Sequence, residues 1–298
     1  MDERAALALL ERHLDPVGDD AAVVDDLVIT TDMLHERTDF PAGTTRYTAG
    51  WRSVGASLSD VAAMGASATA AVAAYAAPEF DPDDLEAFVD GASDVCAAVD
   101  AAYVGGDLDT HQEFTVATTA VGETDTPVLR TGATPGEVVC VTGSLGRSAA
   151  ALEHFDAGHL ERANELFRFE PRVRAGRELA DVATAMMDSS DGLARSLHQL
   201  AEASDCGFAI EGTSIPVEPA LEDALSETGA TDDEILERAI TFGEDFELVC
   251  TMPESAVEPA RDSLDIEVTV VGTVIDAGEG ITLDGTGLAD RGYTHGGE

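Results

Sequence analysis

The 298-residue chain carries 59 aspartates and glutamates against 16 basic residues, and every basic residue is arginine. Its formal net charge of −43 at pH 7 sets strong self-repulsion against any compact state. Such a chain folds where salt screens it, since the Debye length falls to roughly 3 Å at 1 M. The composition therefore points to the cytoplasm of a halophile. The lack of lysine has a second consequence. It excludes every nucleotide site built on a phosphate-binding lysine, both GxxxxGK[ST] and the protein-kinase strand lysine. With no basic patch to neutralise phosphates, nucleic acid is not an expected partner.

High charge alone would suit a disordered chain, but 44% of the residues are hydrophobic and apolar periodic segments run along nearly the whole length. A core of this size suits two domains better than one. No stretch approaches 18 uninterrupted apolar residues, and Met1-Asp2-Glu3-Arg4 does not read as a signal peptide, so no membrane segment is expected. Cys96, Cys140, Cys206 and Cys250 lie far apart without a CxxC spacing, which predicts small buried hydrophobes rather than a zinc site or a disulfide framework.

Periodicity predicts helices over 3–14, 53–65, 82–101, 147–155, 172–183 and 193–203. Strands are predicted at 23–24, 27–31, 70–75, 103–104, 114–121, 138–142, 185–187, 246–252 and 268–274. Asp81-Pro82 is an N-cap followed by proline at the first helical position. Thr131-Gly-Ala-Thr-Pro-Gly136 is turn-rich and aperiodic, which places a domain boundary there: 1–135 and 136–298. The expected class is α/β (α+β).

In so acidic a chain most carboxylates form a solvated coat, so context decides which do not. Asp32 closes the apolar run Leu-Val-Ile-Thr-Thr-Asp, Asp107 follows Tyr-Val-Gly-Gly, and Asp188 follows Ala-Met-Met. Each reads as an acid at a strand tip, where α/β proteins gather ligands. Asp19-Asp20 adds two more. Asp60 shares a helical stripe with Ser53, Ser57 and Met64, and Val61-Ala-Ala-Met-Gly65 keeps that helix apolar all round. A buried acid needs a partner or a metal. Divalent cations with hard oxygen ligands, magnesium above all, would offset the repulsion among such acids, with Thr30 and Thr31 adding oxygens beside Asp32. This reading points to phosphoryl transfer or ATP hydrolysis. Gly143-Ser-Leu-Gly-Arg-Ser148 is a candidate anion loop. Arg130 and Arg147 are candidate phosphate partners, and Gly243-Glu244-Asp245 a candidate site loop.

Gly18-Asp-Asp-Ala-Ala22, Thr30-Thr-Asp32, Leu58-Ser-Asp-Val-Ala-Ala-Met-Gly65, Gly105-Gly-Asp107, Asp188-Ser-Ser-Asp-Gly192 and Gly243-Glu-Asp-Phe-Glu-Leu248 occur in this order. Together they resemble the thiamine-monophosphate kinase family, of the aminoimidazole-ribotide synthetase-like ATP enzymes. The resemblance implies a two-domain fold whose N-terminal sheet pairs across a two-fold axis into a barrel in a homodimer, with the C-terminal domain closing over ATP and magnesium. It implies metal positions at Asp20, Thr30, Thr31, Asp32, Asp60, Asp107, Asp188 and Asp191, with Asp32, Asp60 and Asp107 catalytic. ATP contacts are implied at Gly106, Asp107, Arg130 and Ser190, and substrate contacts at Glu244, Tyr293 and the position of Asp39. Asp39 stands where the family places a histidine just before Phe40, with His35 four residues earlier. The implied reaction is in-line transfer from ATP to thiamine monophosphate, aided by several Mg²⁺ ions.

Overall fold

The computed structural model describes residues 9–10, 13–14, 18–226 and 229–292. Most of the helix expected over 3–14, and Tyr293, lie outside the described residues.

The first part of the chain runs β1 (Ala22–Val24), β2 (Leu27–His35), α1 (Glu36–Asp39), α2 (Arg46–Ala63), β3 (Ser67–Ala77), α3 (Pro82–Ala98), β4 (Ala102–Thr110) and β5 (Thr115–Glu123). Its sheet has the order β1-β2-β5-β3-β4. All pairs are antiparallel except β3 with β4. β5 alternates buried and half-buried residues, the period-2 pattern of a sheet with one face packed. That inner face carries α2 and α3. Thr45 caps α2 by accepting from Thr48 N–H. Asp81 caps α3 by accepting from the N–H groups of Asp83 and Asp84, with Pro82 at the first position, as the sequence predicts. Beneath the helices Phe40, Tyr75, Phe88 and Phe114 pack as tilted and edge-on rings 5.1–6.1 Å apart.

The second part runs β6 (Val138–Thr142), α4 (Arg147–Asp156), α5 (Leu160–Phe167), α6 (Val173–Leu179), β7 (Ala185–Asp188), α7 (Leu193–Ser204) and β8 (Cys206–Ile210). It continues with α8 (Pro219–Ser226), α9 (Asp232–Thr241), β9 (Leu248–Met252), α10 (Val257–Ser263), β10 (Val268–Asp276), β11 (Ile281–Leu283) and β12 (Thr286–Gly287). This sheet has the order β12-β11-β8-β10-β6-β9-β7. β6 and β9 are buried at every position. The four cysteines are free and buried, as expected. No helix among the described residues is long and apolar enough to cross a membrane.

The two sheets meet through α2. Gly176 of α6 sits so close to it that a Cβ there would lie 2.0 Å from the Ala62 carbonyl oxygen. That approach lets the helix carrying Asp60 lie directly against the end of β7 carrying Asp188. α2 also begins seven residues before the expected start at 53, because Thr45 supplies the cap. Its early turns reach the C-terminal sheet's loops as a result.

Candidate active site

Asp32 lies inside β2, paired in register with Thr118 of β5, rather than at the strand tip the sequence suggests; β2 continues through His35. Its side chain faces α2, where Ser57 Oγ donates to Asp32 Oδ2 at 2.5 Å and shares a 2.8 Å bond with Thr118 Oγ1. Two residues earlier on the same face, Thr30 Oγ1 donates to Asp60 Oδ2 at 2.5 Å. From the C-terminal sheet, Asp188 closes β7 and accepts from Ser59 Oγ at 2.6 Å. Asp20 enters from the loop before β1. Its carboxylate is gripped by Arg130 through Nη2 at 2.9 Å and Nε at 3.2 Å, while Asp19 Oδ1 accepts from Arg130 N–H at 2.7 Å. Carboxylate oxygens of Asp20, Asp60 and Asp188 all lie within 4.8 Å of one another.

The electrostatics of this cluster are strained. Burial pushes Asp60 well above the usual carboxylate range, and the nearby charges of Asp32, Asp188 and Asp20 push it further; only the Thr30 bond opposes them. Asp188 is raised to about 7 by burial and by Asp20, against the Ser59 bond, Arg130 and Ser190. Asp32 is raised by burial, with the Ser57 bond pulling back. For Arg130 burial works against the charged form, but Asp20, Asp188 and Asp60 outweigh it and raise the guanidinium above its ordinary value.

These residues fit a divalent cation. Asp188 is fully buried, yet its Oδ1 has no hydrogen-bond partner, and a buried unpaired carboxylate oxygen is costly. An all-oxygen donor set drawn from three carboxylates suits Mg²⁺, which is commonly held by one or two carboxylates and shared with substrate phosphates.

A second loop is fastened to the end of β7. Glu244 N–H donates to Ser190 O at 2.6 Å, Phe246 N–H to Ser189 O at 3.3 Å, and Ser189 N–H to Glu247 O at 2.8 Å. Glu244 and Phe246 both adopt left-handed backbone, φ 62° and 54°. Three backbone hydrogen bonds thus tie the loop expected to reach the substrate to the loop carrying Asp188.

One expectation needs correction, and several expected positions lie outside the cluster. Asp107 does not follow a turn. β4 runs on to Thr110, and Gly105-Gly106 forms a bulge, marked by the register shift opposite Ala71–Ala73. Gly106 is required by close approach, since a Cβ there would meet the Ala73 carbonyl oxygen at 1.7 Å. Asp107 pairs with exposed Ala74 rather than with buried Ala73. It therefore faces away from α2, and within one chain it is outside the carboxylate cluster. The Thr31 hydroxyl likewise turns to the outer face and donates to Thr118 O at 2.8 Å. Asp39 ends the short α1 and folds back on it: its Oδ2 accepts from His35 N–H at 2.6 Å and from Thr38 Oγ1 at 2.8 Å. His35 Nδ1 lies 3.0 Å from Thr115 Oγ1. Asp191 is half-buried beside Ser190 in the loop after β7, outside the three-carboxylate group.

The anion loop at Gly143–Ser148 is filled by the chain itself. Asp245 accepts from Gly146 N–H at 2.6 Å and Ser148 N–H at 2.9 Å. Arg147 reaches the carbonyl oxygens of Glu165 and Arg168 at 3.2 and 3.3 Å and so braces a loop. A cavity of about 1070 Å³ adjoins it, lined by Trp51, Arg168 and Arg172 among others, and none of Asp20, Asp32, Asp60 or Asp188 lines it. The chemistry, not the volume, marks the site. Sequence reasoning missed Ser59, the donor to Asp188. The available signal was its place one residue before Asp60 on a helix already inferred to be buried.

Comparisons with known proteins show the family. Residues 18–124 match the model of the AIR synthase related protein N-terminal domain, and residues 134–284 match that of the C-terminal domain. The chain belongs to the AIR synthase related family and, within it, to the thiamine-monophosphate kinases. A thiamine-monophosphate kinase of Halobacterium salinarum is 63% identical over 295 residues, spanning 99% of this chain and all of that one. One from Methanospirillum hungatei is 40% identical, spanning 99% of each. The solved structure of AaThiL complexed with AMPPCP and TMP superposes with a TM-score of 0.88 at 27% identity, covering 99% of this chain and 97% of that chain. The two-domain architecture expected from sequence is therefore borne out, and a salt-adapted composition accords with the first of these relatives.

Proposed function

We propose that the chain catalyses ATP-dependent phosphorylation of thiamine monophosphate to thiamine diphosphate. The observation that carries this reading is the meeting of Asp60 from one sheet's helix with Asp188 from the other sheet, beside Asp20 and Arg130. Carboxylates so crowded and so poorly supplied with donors are a cation site, and a nucleotide phosphate chain is the ligand such a site shares. The matched structure, solved with AMPPCP and TMP, supports the same pair of ligands.

The reaction is read as direct in-line transfer. The acceptor phosphate is a monoester with a second pKa of about 6, so it is already anionic near neutrality and needs no general base. The difficulty is to bring two anions together. Mg²⁺ held by Asp20, Asp60 and Asp188, with Asp32 beside them, would neutralise that charge. Arg130 would bind the ATP phosphates, and Ser190, next to Asp188, would help seat the nucleotide. Glu244, with Tyr293, would bind the thiamine end.

A homodimer forms part of this reading. The outer face of the N-terminal sheet exposes Ile29, Met33, Val72 and Val104, Met33 at 59% and Val104 at 63%, and a second copy would cover it. Asp107 lies on that face and would serve the second copy.

The test is a turnover assay in high KCl with Mg²⁺ and ATP, following thiamine diphosphate from thiamine monophosphate, with free thiamine in parallel. Diphosphate formed from the monophosphate alone is the expected result. ADP release without it would overturn the substrate assignment.

A further inference from the structure

Arg52 belongs to no part of the site described so far, yet its side chain is 1% exposed. It projects from α2 across to the C-terminal sheet's loops. Its guanidinium lies 3.7 Å over the Phe167 ring and 5.5 Å from the ring centroids of Phe169 and Phe246. Those last two rings are stacked at 4.2 Å. Nη1 donates to Phe167 O at 2.6 Å; Nη2 donates to Glu244 O at 3.0 Å and to Glu244 Oε2 at 2.5 Å. Nε is buried without a partner.

The pair is asymmetric. Arg52 is enclosed by three aromatic rings, whereas the Glu244 side chain is 30% exposed. A buried cation thus reaches outward to hold a carboxylate at a surface. One guanidinium nitrogen holds both the backbone oxygen and the side-chain oxygen of the same residue, which fixes the Glu244 side chain relative to its backbone. That backbone is left-handed at a non-glycine residue, a conformation that persists where its surroundings over-determine it. Ser148 Oγ adds a third restraint, donating to Glu244 O at 2.6 Å. The other end of the contact is α2 itself, which carries Ser57, Ser59 and Asp60 further along.

We infer that Arg52 is a positioning residue for the acceptor substrate: it holds the Glu244 carboxylate in the orientation that receives the thiamine end, and locks that loop to the helix bearing Asp60. This rests on the assignment of Glu244 to the substrate made above. A flexible ammonium would keep the charge but lose the rigid fork, so lysine is a partial substitute.

The experiment uses the full chain with Mg²⁺ in high KCl and compares Arg52→Met, Arg52→Lys and Glu244→Gln, with melting temperatures beside the kinetics. Arg52→Met should raise KM for thiamine monophosphate about tenfold or more while KM for ATP stays within about twofold, and Arg52→Lys should recover part of the loss. An unchanged KM for thiamine monophosphate in folded Arg52→Met, or equal rises for both substrates, overturns the inference. If Arg52→Met does not fold, the double variant Arg52→Lys/Glu244→Gln decides. Losses no larger than those of Glu244→Gln alone support a shared role, and additive losses overturn it. A wild-type chain that forms no thiamine diphosphate overturns the proposed function together with this inference. A wild-type chain that does form it confines any failure to Arg52.

Discussion

The molecule holds two groups of buried acids, and they are answered in opposite ways. At the start of α4 and β9, Asp245 accepts two backbone N–H bonds, and Glu247 accepts from Thr142 Oγ1 at 2.7 Å and from Arg172 through two nitrogens at 2.6 and 2.8 Å. Every charge there is met from within the chain. In the cluster of Asp20, Asp32, Asp60 and Asp188, Asp32 accepts from Ser57 and Asp60 from Thr30, Asp20 takes the arginine, and one oxygen of Asp188 is left unmet. A carboxylate surrounded by donors is a brace. Carboxylates that crowd one another, with one oxygen left bare, fit a cation. In a chain with 59 acids, that distinction sorts function from coat better than counting charges does.

The sharpest way to break the comparison is to remove one acid from the cluster. Asp32→Ala should lower kcat by about a thousandfold or more while the Mg²⁺-free protein melts no lower than wild type, because a repelling charge has gone. Near-normal turnover at saturating Mg²⁺ would remove Asp32 from the site. Next in size is the response to the ion. At about 100 times its Kd, Mg²⁺ should stabilise wild type by about 2.7 kcal/mol, and Asp188→Asn should lose most of that gain. The test is thermal unfolding with and without Mg²⁺ at constant high KCl. The brace should behave in reverse. Asp245→Ala strips the cap from two N–H groups at the start of α4 and should cost about 2 kcal/mol, leaving the Mg²⁺ response intact. An Asp245 variant that lost the Mg²⁺ gain would erase the difference between the two groups.

Sequence could place part of this contrast and not the rest. Asp188 was legible because β7 does end there, and Asp60 because its helix is apolar on all sides. Asp32 was found for an incomplete reason. The strand continues to His35, and what turns the acid inward is its face, shared with Thr30, not a strand end. Asp107 was placed after a turn because Gly-Gly reads as one, whereas the sheet absorbs the pair as a bulge and continues. The Gly143–Ser148 loop was legible as an anion seat, but its occupant is Asp245, about a hundred residues away, and only the fold brings the two together. Arg52 and Ser59 were hidden for a related reason. Their partners, Glu244 and Asp188, come from the other sheet, and no local period encodes contacts of that kind. The helices at 160–167, 219–226, 232–241 and 257–263 were not picked out from the sequence.

The two groups also separate by pH. Asp188 and Asp245 are both raised from 3.8 to about 7, in each case mainly by burial. From about pH 4 to about pH 7 the folded chain therefore retains protons that the unfolded chain has released. The stability these groups contribute is intact below about pH 4 and is lost as pH rises through the folded value. Without Mg²⁺ the melting temperature should fall as pH climbs from 5 to 7.5. A bound cation favours ionised Asp188, so saturating Mg²⁺ should flatten that group's share of the slope. It should leave the share belonging to Asp245, whose partners are backbone N–H groups and not metal. Asp245→Asn should do the converse, removing its own share in the absence of Mg²⁺. Melting curves across this range, with and without Mg²⁺, read both effects in one set of samples. A pH slope indifferent to Mg²⁺ would mean that Asp188 is a brace like Asp245, and that the orphaned oxygen at the end of β7 is not waiting for a cation.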